Sequence, residues 1–388
     1  MINKDVCLAP WFSLYVGKLA VKPCCLWTGN NKWETIEDIE KIWNSEWMQN
    51  ARKDFLNGKI PNSCKSCYQR IQSRNDWLSD RIGDLVDRSK MDIVSPIKPL
   101  QVDFHLGNKC NLQCKMCASW ASRNWYDFEK KLNSIDKNFD RYPIKKYDMD
   151  VSIFKNSKEM FSKTIRFDFK GGEPMLYDSM VEMIENLVSW GYAKNMALSY
   201  VTNASTINKD AMKLWKHFKE VRLVVSIDGT DDMFSYVRGL DFEKLKETVS
   251  IYDKIENVKG LHNVAVSIYN ILDVSKLNDW MINRDLNRFP CKKSGSIYHF
   301  TCNVIKPNYL DPRILPKKYK KLILKQFENG YSKNLTGIVE WVKSIQDIPE
   351  DKKQLKLFVT FTKEFDKMNG TDFLSLKPEF EELFKEYA

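Results

Sequence analysis

From Leu100 onward the chain alternates short apolar runs with longer amphipathic ones. LQVDFHL (100–106), TIRFDF (164–169), MALSYVT (196–202), VRLVVSI (221–227) and NVAVSIY (263–269) have the length and β-branched or aromatic content of strands. SGSIYHFTCNVI (294–305) reads as the last of them. Between them, SMVEMIENLVSWG, KDAMKLWKHF, DFEKLKETVSIYDKI and VSKLNDWMI repeat apolar residues at helical spacing, and ASWASRNWYDFEKKLNSI reads as a further helix. About six strands alternating with helices predict an α/β fold, a parallel sheet or partial barrel with its loops gathered at one end.

The two ends read differently. Residues 1–95 are irregular and aromatic-rich, with one helix predicted over IEDIEKIWNSEWMQNARKDFLNG and stopped by Gly58 and Pro61. SPIKP (95–99) reads as a joint. Beyond Ile305 the chain is helical and lysine-rich, in runs such as LPKKYKKLILKQFENG and FTKEFDKM. The expected division is therefore 1–95, 96–305 and 306–388, the last a lid, a partner surface or plain packing.

Composition narrows the picture a little. Of 388 residues, 43% are hydrophobic and 29% charged, ordinary for a folded chain with a large core. The net charge of +10 permits an acidic partner, but the lysines are dispersed and no dense arginine tract appears, so most are read as solvated surface. No apolar stretch approaches the ~20 residues of a bilayer span. The opening MINKDVCLAPWFSLYVGK is too polar for a signal peptide, so a cytoplasmic protein without membrane contact is expected. In such a compartment ten cysteines are not expected to pair as disulfides. Eight of them fall in two groups, 7, 24, 25, 64 and 67, then 110, 114 and 117, and clustering of that kind favours metal binding.

The second group, HLGNKCNLQCKMCASW (105–120), follows a strand and precedes a predicted helix, at the strand's carboxyl end where sites form. A structural zinc ion takes four protein ligands, and this loop supplies three, with His105 held inside the strand. An iron–sulfur cube takes one cysteine per iron, so three cysteines leave one iron open. Spacing alone leaves three readings: a catalytic cluster, a structural metal, or buried cysteines without a ligand.

CNLQCKMC resembles the CxxxCxxC signature of radical S-adenosylmethionine (SAM) enzymes. The resemblance implies a partial (β/α)6 barrel, a [4Fe–4S] cluster on Cys110, Cys114 and Cys117, and SAM chelated by the open iron, with Met116 near its adenine. KGGEP (170–174) resembles the family's second-strand motif, which places Gly171, Gly172, Glu173 and Pro174 at the SAM amino group. SYVTNAS (199–205) is similar to a segment usually written TNG; Asn203 fits, whereas Ala204 replaces the glycine, which weakens any claim that needs positive φ there. VVSIDGTDDMFSYVRG (224–239) is similar to the SxDG segment, implying Ser226 and Asp228 near ribose or substrate and Arg238 near the SAM carboxylate.

In the first group, CKSC (64–67) is a metal chelate or a redox pair, and Cys24 and Cys25 diverge on an extended backbone, so one ion does not easily take both. C7-LAPW, GKLAVKPCC and CKSC together resemble the auxiliary-cluster domains called SPASM or twitch, here placed before the barrel instead of after it. That resemblance implies a second [4Fe–4S] cluster on Cys7, Cys24, Cys64 and Cys67, with Cys25 an alternative to Cys24. Zinc or no metal remain the other readings of these residues. Cys291 and Cys302 are expected to be packing residues, with Cys302 a candidate hydrogen donor.

The family chemistry implied is one-electron cleavage of SAM to methionine and a 5′-deoxyadenosyl radical, which abstracts hydrogen from a substrate. A low-potential donor such as flavodoxin or ferredoxin is the implied redox partner. Peptide or protein modification leads; a small-molecule dehydrogenase or carbon-skeleton enzyme, and a nucleic-acid-modifying enzyme, are the alternatives. The sequence names no catalytic acid, base or hydrogen donor beyond this.

Overall fold

A computed structural model describes residues 7–17, 20–28, 38–65, 67, 98–289, 299–301, 307–331 and 333–387. The chain forms two compact units: Met1–Lys109, Lys146–Tyr200 and Asn208–Arg222 make the first, and Cys110–Lys145, Val201–Ile207 and Leu223–Ala388 the second. The strands are β1 (Ser13–Gly17), β2 (Ala20–Lys22), β3 (Gln101–His105), β4 (Arg166–Lys170), β5 (Ala197–Thr202), β6 (Glu220–Ser226), β7 (Val258–Ala265) and β8 (His299–Thr301). β5 and β6 contribute residues to both units.

In the first unit the strand order is β2-β1-β3-β4-β5. β1 and β2 pair antiparallel, whereas β1–β3, β3–β4 and β4–β5 are parallel, so the sheet is mixed. The β1–β2 hairpin lies in the stretch expected to be irregular, and Leu14 sits beside Val102 as a full member of the sheet. Register sets Asp103 beside Asp168 and His105 beside Lys170. Because side chains alternate across a strand, Val102, Phe104, Phe167 and Phe169 share one face, and Gln101, Asp103, His105, Arg166, Asp168 and Lys170 share the other. All but Lys170 are buried.

Burying both faces fits a sheet covered on both sides, but one face is ionic. Arg166 pairs with Asp168 at 2.8 Å, Gln101 Nε2 donates to Asp168 Oδ2 at 2.8 Å, and Lys170 pairs with Asp103. Burial pushes Asp168 up, but Arg166 and Lys170 outweigh it and hold the carboxyl below its usual range. On the apolar side Phe154 meets Phe104 and Phe167 edge-on, and helix Asp178–Ser189 buries Met180, Met183, Ile184 and Leu187, spaced for one helical face. The helix expected over 36–58 is two helices, Ile39–Trp43 and Glu46–Leu56, broken where Ser45 turns extended.

In the second unit the strand order is β6-β7-β8, and β7 and β8 pair parallel, with Val264 beside Phe300. Helix Val274–Ile282 has the bounds the sequence predicts. β7 begins earlier than the predicted NVAVSIY, and helix Asp231–Arg238 forms within the SxDG-like segment. The C-terminal region is helical, as expected. Its longest helix, Lys352–Asn369, is capped by Asp351, which accepts from Gln354 N, and ends at Gly370 with φ +65°. Phe361 of that helix stacks on Trp125 at 5.9 Å, and Phe365 meets Phe128 edge-on at 5.5 Å. No described helix is long and apolar enough to cross a membrane.

Candidate cofactor site

The central cysteine loop belongs to the second unit, and short hydrogen bonds hold it. Cys117 N donates to Cys114 O at 2.8 Å, which closes a turn around Lys115 and Met116. Ser122 Oγ caps Leu112 O at 2.7 Å, and Asn124 Nδ2 donates to Cys110 O at 3.2 Å. Cys114 is buried, while Cys110, Met116 and Cys117 are half-buried. Burial pushes the Cys114 thiol up to about 11 and the Cys117 thiol up to about 12. Such thiols ionise only when a cation compensates, as a bound metal does.

The expected partners in the same unit gather on this loop. Asn203 Nδ2 lies 3.6 Å from Cys110 Sγ and 3.2 Å from Asn111 Oδ1. Ala204 adopts φ +54° although it is not glycine, with its N–H donating to Thr202 Oγ1 at 3.0 Å. The departure from glycine does not prevent positive φ at this position: that hydrogen bond, and the one from Ser205 N to Asn203 Oδ1 at 2.9 Å, hold an alanine in the left-handed region. Ser226 ends β6, and Asp228 lies just beyond it; both are buried. Asp228 Oδ1 accepts from Ala265 N at 2.7 Å and Oδ2 from Arg238 Nη1 at 2.9 Å. Burial opposes the Arg238 charge, but Cys114, Asp228 and Cys117 hold it above its usual value. Arg238 Nε is buried and finds no acceptor among the described residues.

The GGEP turn belongs to the first unit, where it fixes the residue preceding Cys110. Glu173 N donates to Lys109 O at 2.9 Å, and Lys109 N donates to Tyr177 Oη at 2.6 Å. A Cβ on Gly172 (φ +53°) would stand 2.0 Å from Lys109 O, so only glycine permits this approach. Glu173 is fully buried and accepts from Met175 N at 3.1 Å, starting the short turn at Pro174. His105, without an assigned role, meets Tyr147 Oη at 3.2 Å through Nδ1; burial and Lys170 pull it down to about 4.

The amino-terminal cysteines separate by neighbourhood. Cys7, Cys24 and Cys64 pack against one cluster of Leu8, Ala9, Trp11, Phe12 and Phe55. Burial, then Cys24 and Cys67, raise the Cys64 thiol to about 12. Cys25 is exposed, and its electrostatic neighbours are Lys170, Asp103 and Lys22. Cys291 and Cys302 lie outside the described residues.

Among the described residues no three His, Cys, Asp or Glu side chains stand close enough to hold a single ion. A lone zinc ion needs its thiolates ~2.3 Å from one point. A cube spreads its cysteines over separate irons, and that wider spacing suits a loop with one buried and two half-buried thiols, beside an arginine Nε that finds no acceptor among the described residues.

Two features escaped the sequence reading. Lys115, inside the cysteine loop, is fully buried and ion-pairs with Asp366 at 3.2 Å. Arg141 Nη1 donates to Cys117 O at 3.3 Å and lies 3.4 Å from Glu129 Oε1, while its other arm meets Tyr309 Oη. No local pattern signals partners so distant in sequence.

A strand-borne three-cysteine loop with a GGEP turn and a buried Asp–Arg pair defines a class of radical-generating enzymes. Residues 104–288 match the Radical SAM superfamily, so this stretch of the chain is a radical SAM domain, consistent with an enzyme. Its domain implies use of SAM and a [4Fe–4S] cluster. The chain is 23% identical over 229 residues to an S-adenosylmethionine-dependent nucleotide dehydratase of Lacinutrix mariniflava, covering 58% of this chain and 42% of that protein. It is 24% identical over 244 residues to one from a Fibrobacter species, covering 57% of this chain and 65% of that one. The match thus spans less than two thirds of the length of either relative. Among solved structures, Streptococcus suis SuiB bound to precursor peptide SuiA is similar at a TM-score of 0.34 and 15% identity, over 63% of this chain and 52% of that one.

Proposed function

We propose that this enzyme binds SAM at the Cys110–Cys114–Cys117 loop and abstracts hydrogen from a peptide or protein substrate. The carrying observation is the convergence of Asn203, Asp228 and Arg238 on that loop, with a buried Arg238 Nε that has no partner among the described residues. Arg238 suits the SAM carboxylate, because a guanidinium donor matches a carboxylate oxygen. Glu173 and the glycines of its turn suit the amino group, and Met116 the adenine. Bound there, the reduced cluster and SAM supply a 5′-deoxyadenosyl radical; the chain supplies alignment and exclusion of water. Its fold in this reading is a partial (β/α)6 barrel with an auxiliary-cluster segment before it.

Cys7, Cys24, Cys64 and Cys67 hold a second [4Fe–4S] cluster in this reading, and Cys25 does not. The hydrophobic patch shared by Cys7, Cys24 and Cys64 supports it, as do the electrostatic neighbours of Cys64, which are Cys24 and Cys67. Held by these four cysteines, a second cluster would supply one-electron redox chemistry, which suits an oxidative modification. The peptide assignment follows from the resemblance to auxiliary-cluster domains.

The two dehydratase relatives favour a second reading, in which the substrate is a nucleotide. The readings separate in one experiment. The anaerobically reconstituted enzyme is given SAM, a strong reductant and either a small peptide encoded beside its gene or a panel of nucleoside triphosphates. Mass spectrometry showing a peptide lighter by two hydrogens, with the nucleotides unchanged, supports the first; a nucleotide lighter by one water supports the second.

A further inference from the structure

We propose that helix Lys352–Asn369 is a positioning element for the cofactor loop, acting through Lys115 as a key. The inference rests on Cys110–Cys117 being that loop, and it adds a function to the C-terminal region. Lys115 lies between two of the three cysteines and is fully buried, an uncommon fate for lysine. Its Nζ lies 3.2 Å from Asp366 Oδ1, 3.7 Å from the ring centre of Tyr236 and 3.9 Å from that of Phe365. Tyr269 stands on the far side at 5.7 Å. An ammonium in such a cage is held by its counter-charge and by aromatic faces together.

The lock is itself fixed. Asp366 accepts from Thr371 Oγ1 at 2.6 Å and from Phe373 N at 2.9 Å, so its carboxylate cannot swing away. Tyr236 and Phe373 stack at 5.7 Å, which ties the cage wall to the segment after the helix. On the loop side, Lys115 N donates to Val237 O at 2.9 Å and Cys114 Sγ lies 3.4 Å from Arg238 O. The residue that carries the lysine key is therefore docked on the backbone next to Arg238. A displaced Lys115 would carry Cys114 with it, as the two are adjacent, and would disturb the Arg238 backbone. Packing alone does not require an ion pair here; an apolar side chain would fill the cage.

The test uses the full chain, reconstituted anaerobically, with Asp366→Asn, Lys115→Met and Asp366→Glu. Hydrogen–deuterium exchange is read by mass spectrometry, and SAM dissociation by equilibrium binding. For Asp366→Asn and Lys115→Met, exchange across 110–118 rises about tenfold while exchange across 164–170 stays at the wild-type rate. SAM binding weakens about tenfold at unchanged iron content, and Asp366→Glu restores both. Methionine fills an aromatic cage well, so Lys115→Met keeps the packing while losing the key. Unchanged exchange at 110–118 overturns the proposal. So does exchange that rises evenly along the chain, or loss of fold in both variants, because the pair is then a general stability element. Failure of the cofactor-loop reading shows separately, as a wild-type protein that takes up iron without binding SAM.

Discussion

Arg238 and Asp228 form a buried ion pair, Nη1 to Oδ2 at 2.9 Å, with side chains 11% and 1% exposed. Asp228 spends its other oxygen on Ala265 N, so the carboxylate is fully used and the arginine is not. A guanidinium with a donor left over suits the carboxylate of SAM in the reading proposed above. Arg238→Lys keeps the charge but removes the Nε donor. Hydrogen bonds to charged groups are worth ~1.5–3 kcal/mol, so SAM affinity falls at least about tenfold, read by equilibrium binding.

Removing the other partner damages the fold instead. Asp228→Ala strands a buried guanidinium and leaves Ala265 N without its acceptor. Breaking a buried pair this way costs about 3–5 kcal/mol, measurable as a lowered urea midpoint.

The two cysteines of the PCC stretch are expected to behave differently. Cys24→Ser lowers iron and sulfide content by one cluster, because Cys24 shares its surroundings with Cys64 and Cys67. Cys25→Ser leaves iron unchanged in this reading: Cys25 acts on Cys24, but its own leading electrostatic neighbours are Lys170 and Asp103. Equal iron loss in both would place the cluster on Cys25 as well.

The legibility of these features in the sequence follows their range. β3, β4, β5 and β6, the cysteine loop and GGEP are signalled by residues within a few positions of one another. So is helix Val274–Ile282, whose apolar spacing is clean. β1 escaped because SLYVG follows directly on the short helix Ala9–Phe12 inside an irregular, aromatic-rich sequence, and its pairing with β3 had no local signal. The ionic face of β3 and β4 was in view as alternation in QVDFH and RFDFK. Alternation normally means one solvated face, so nothing indicated that Asp103 and Asp168 would be buried with cationic partners. Lys115–Asp366 spans 251 positions, beyond any local pattern.

At Ala204 the backbone conformation favours glycine. Ala204→Gly removes a left-handed penalty of roughly 1 kcal/mol, less what glycine loses in chain entropy. Stability is expected to hold or rise slightly in thermal unfolding, with SAM binding intact. A clear loss of SAM binding would mean that the methyl group itself contacts the ligand.

The apo-protein carries a pH signature. Burial holds the Cys114 and Cys117 thiols at about 11 and about 12, above the value of 9.0 for a free thiol. Above pH ~9 the unfolded chain gives up these protons while the folded chain keeps them, so the folded state binds more protons and stability falls with rising pH. Their contribution is complete below pH ~9 and is lost as pH climbs toward the folded values. Urea titrations of the metal-free protein from pH 7 to pH 11 read this decline, and Cys114→Ala reduces it.

The central claim is that Cys110, Cys114 and Cys117 make the radical-generating site. The direct measurement is 5′-deoxyadenosine formed from SAM by the anaerobically reconstituted enzyme with a strong reductant. The wild-type protein is expected to produce it, and Cys114→Ala to produce none while retaining the iron of the amino-terminal cysteines. No 5′-deoxyadenosine from a fully loaded wild-type enzyme, or undiminished production by Cys114→Ala, would contradict the assignment.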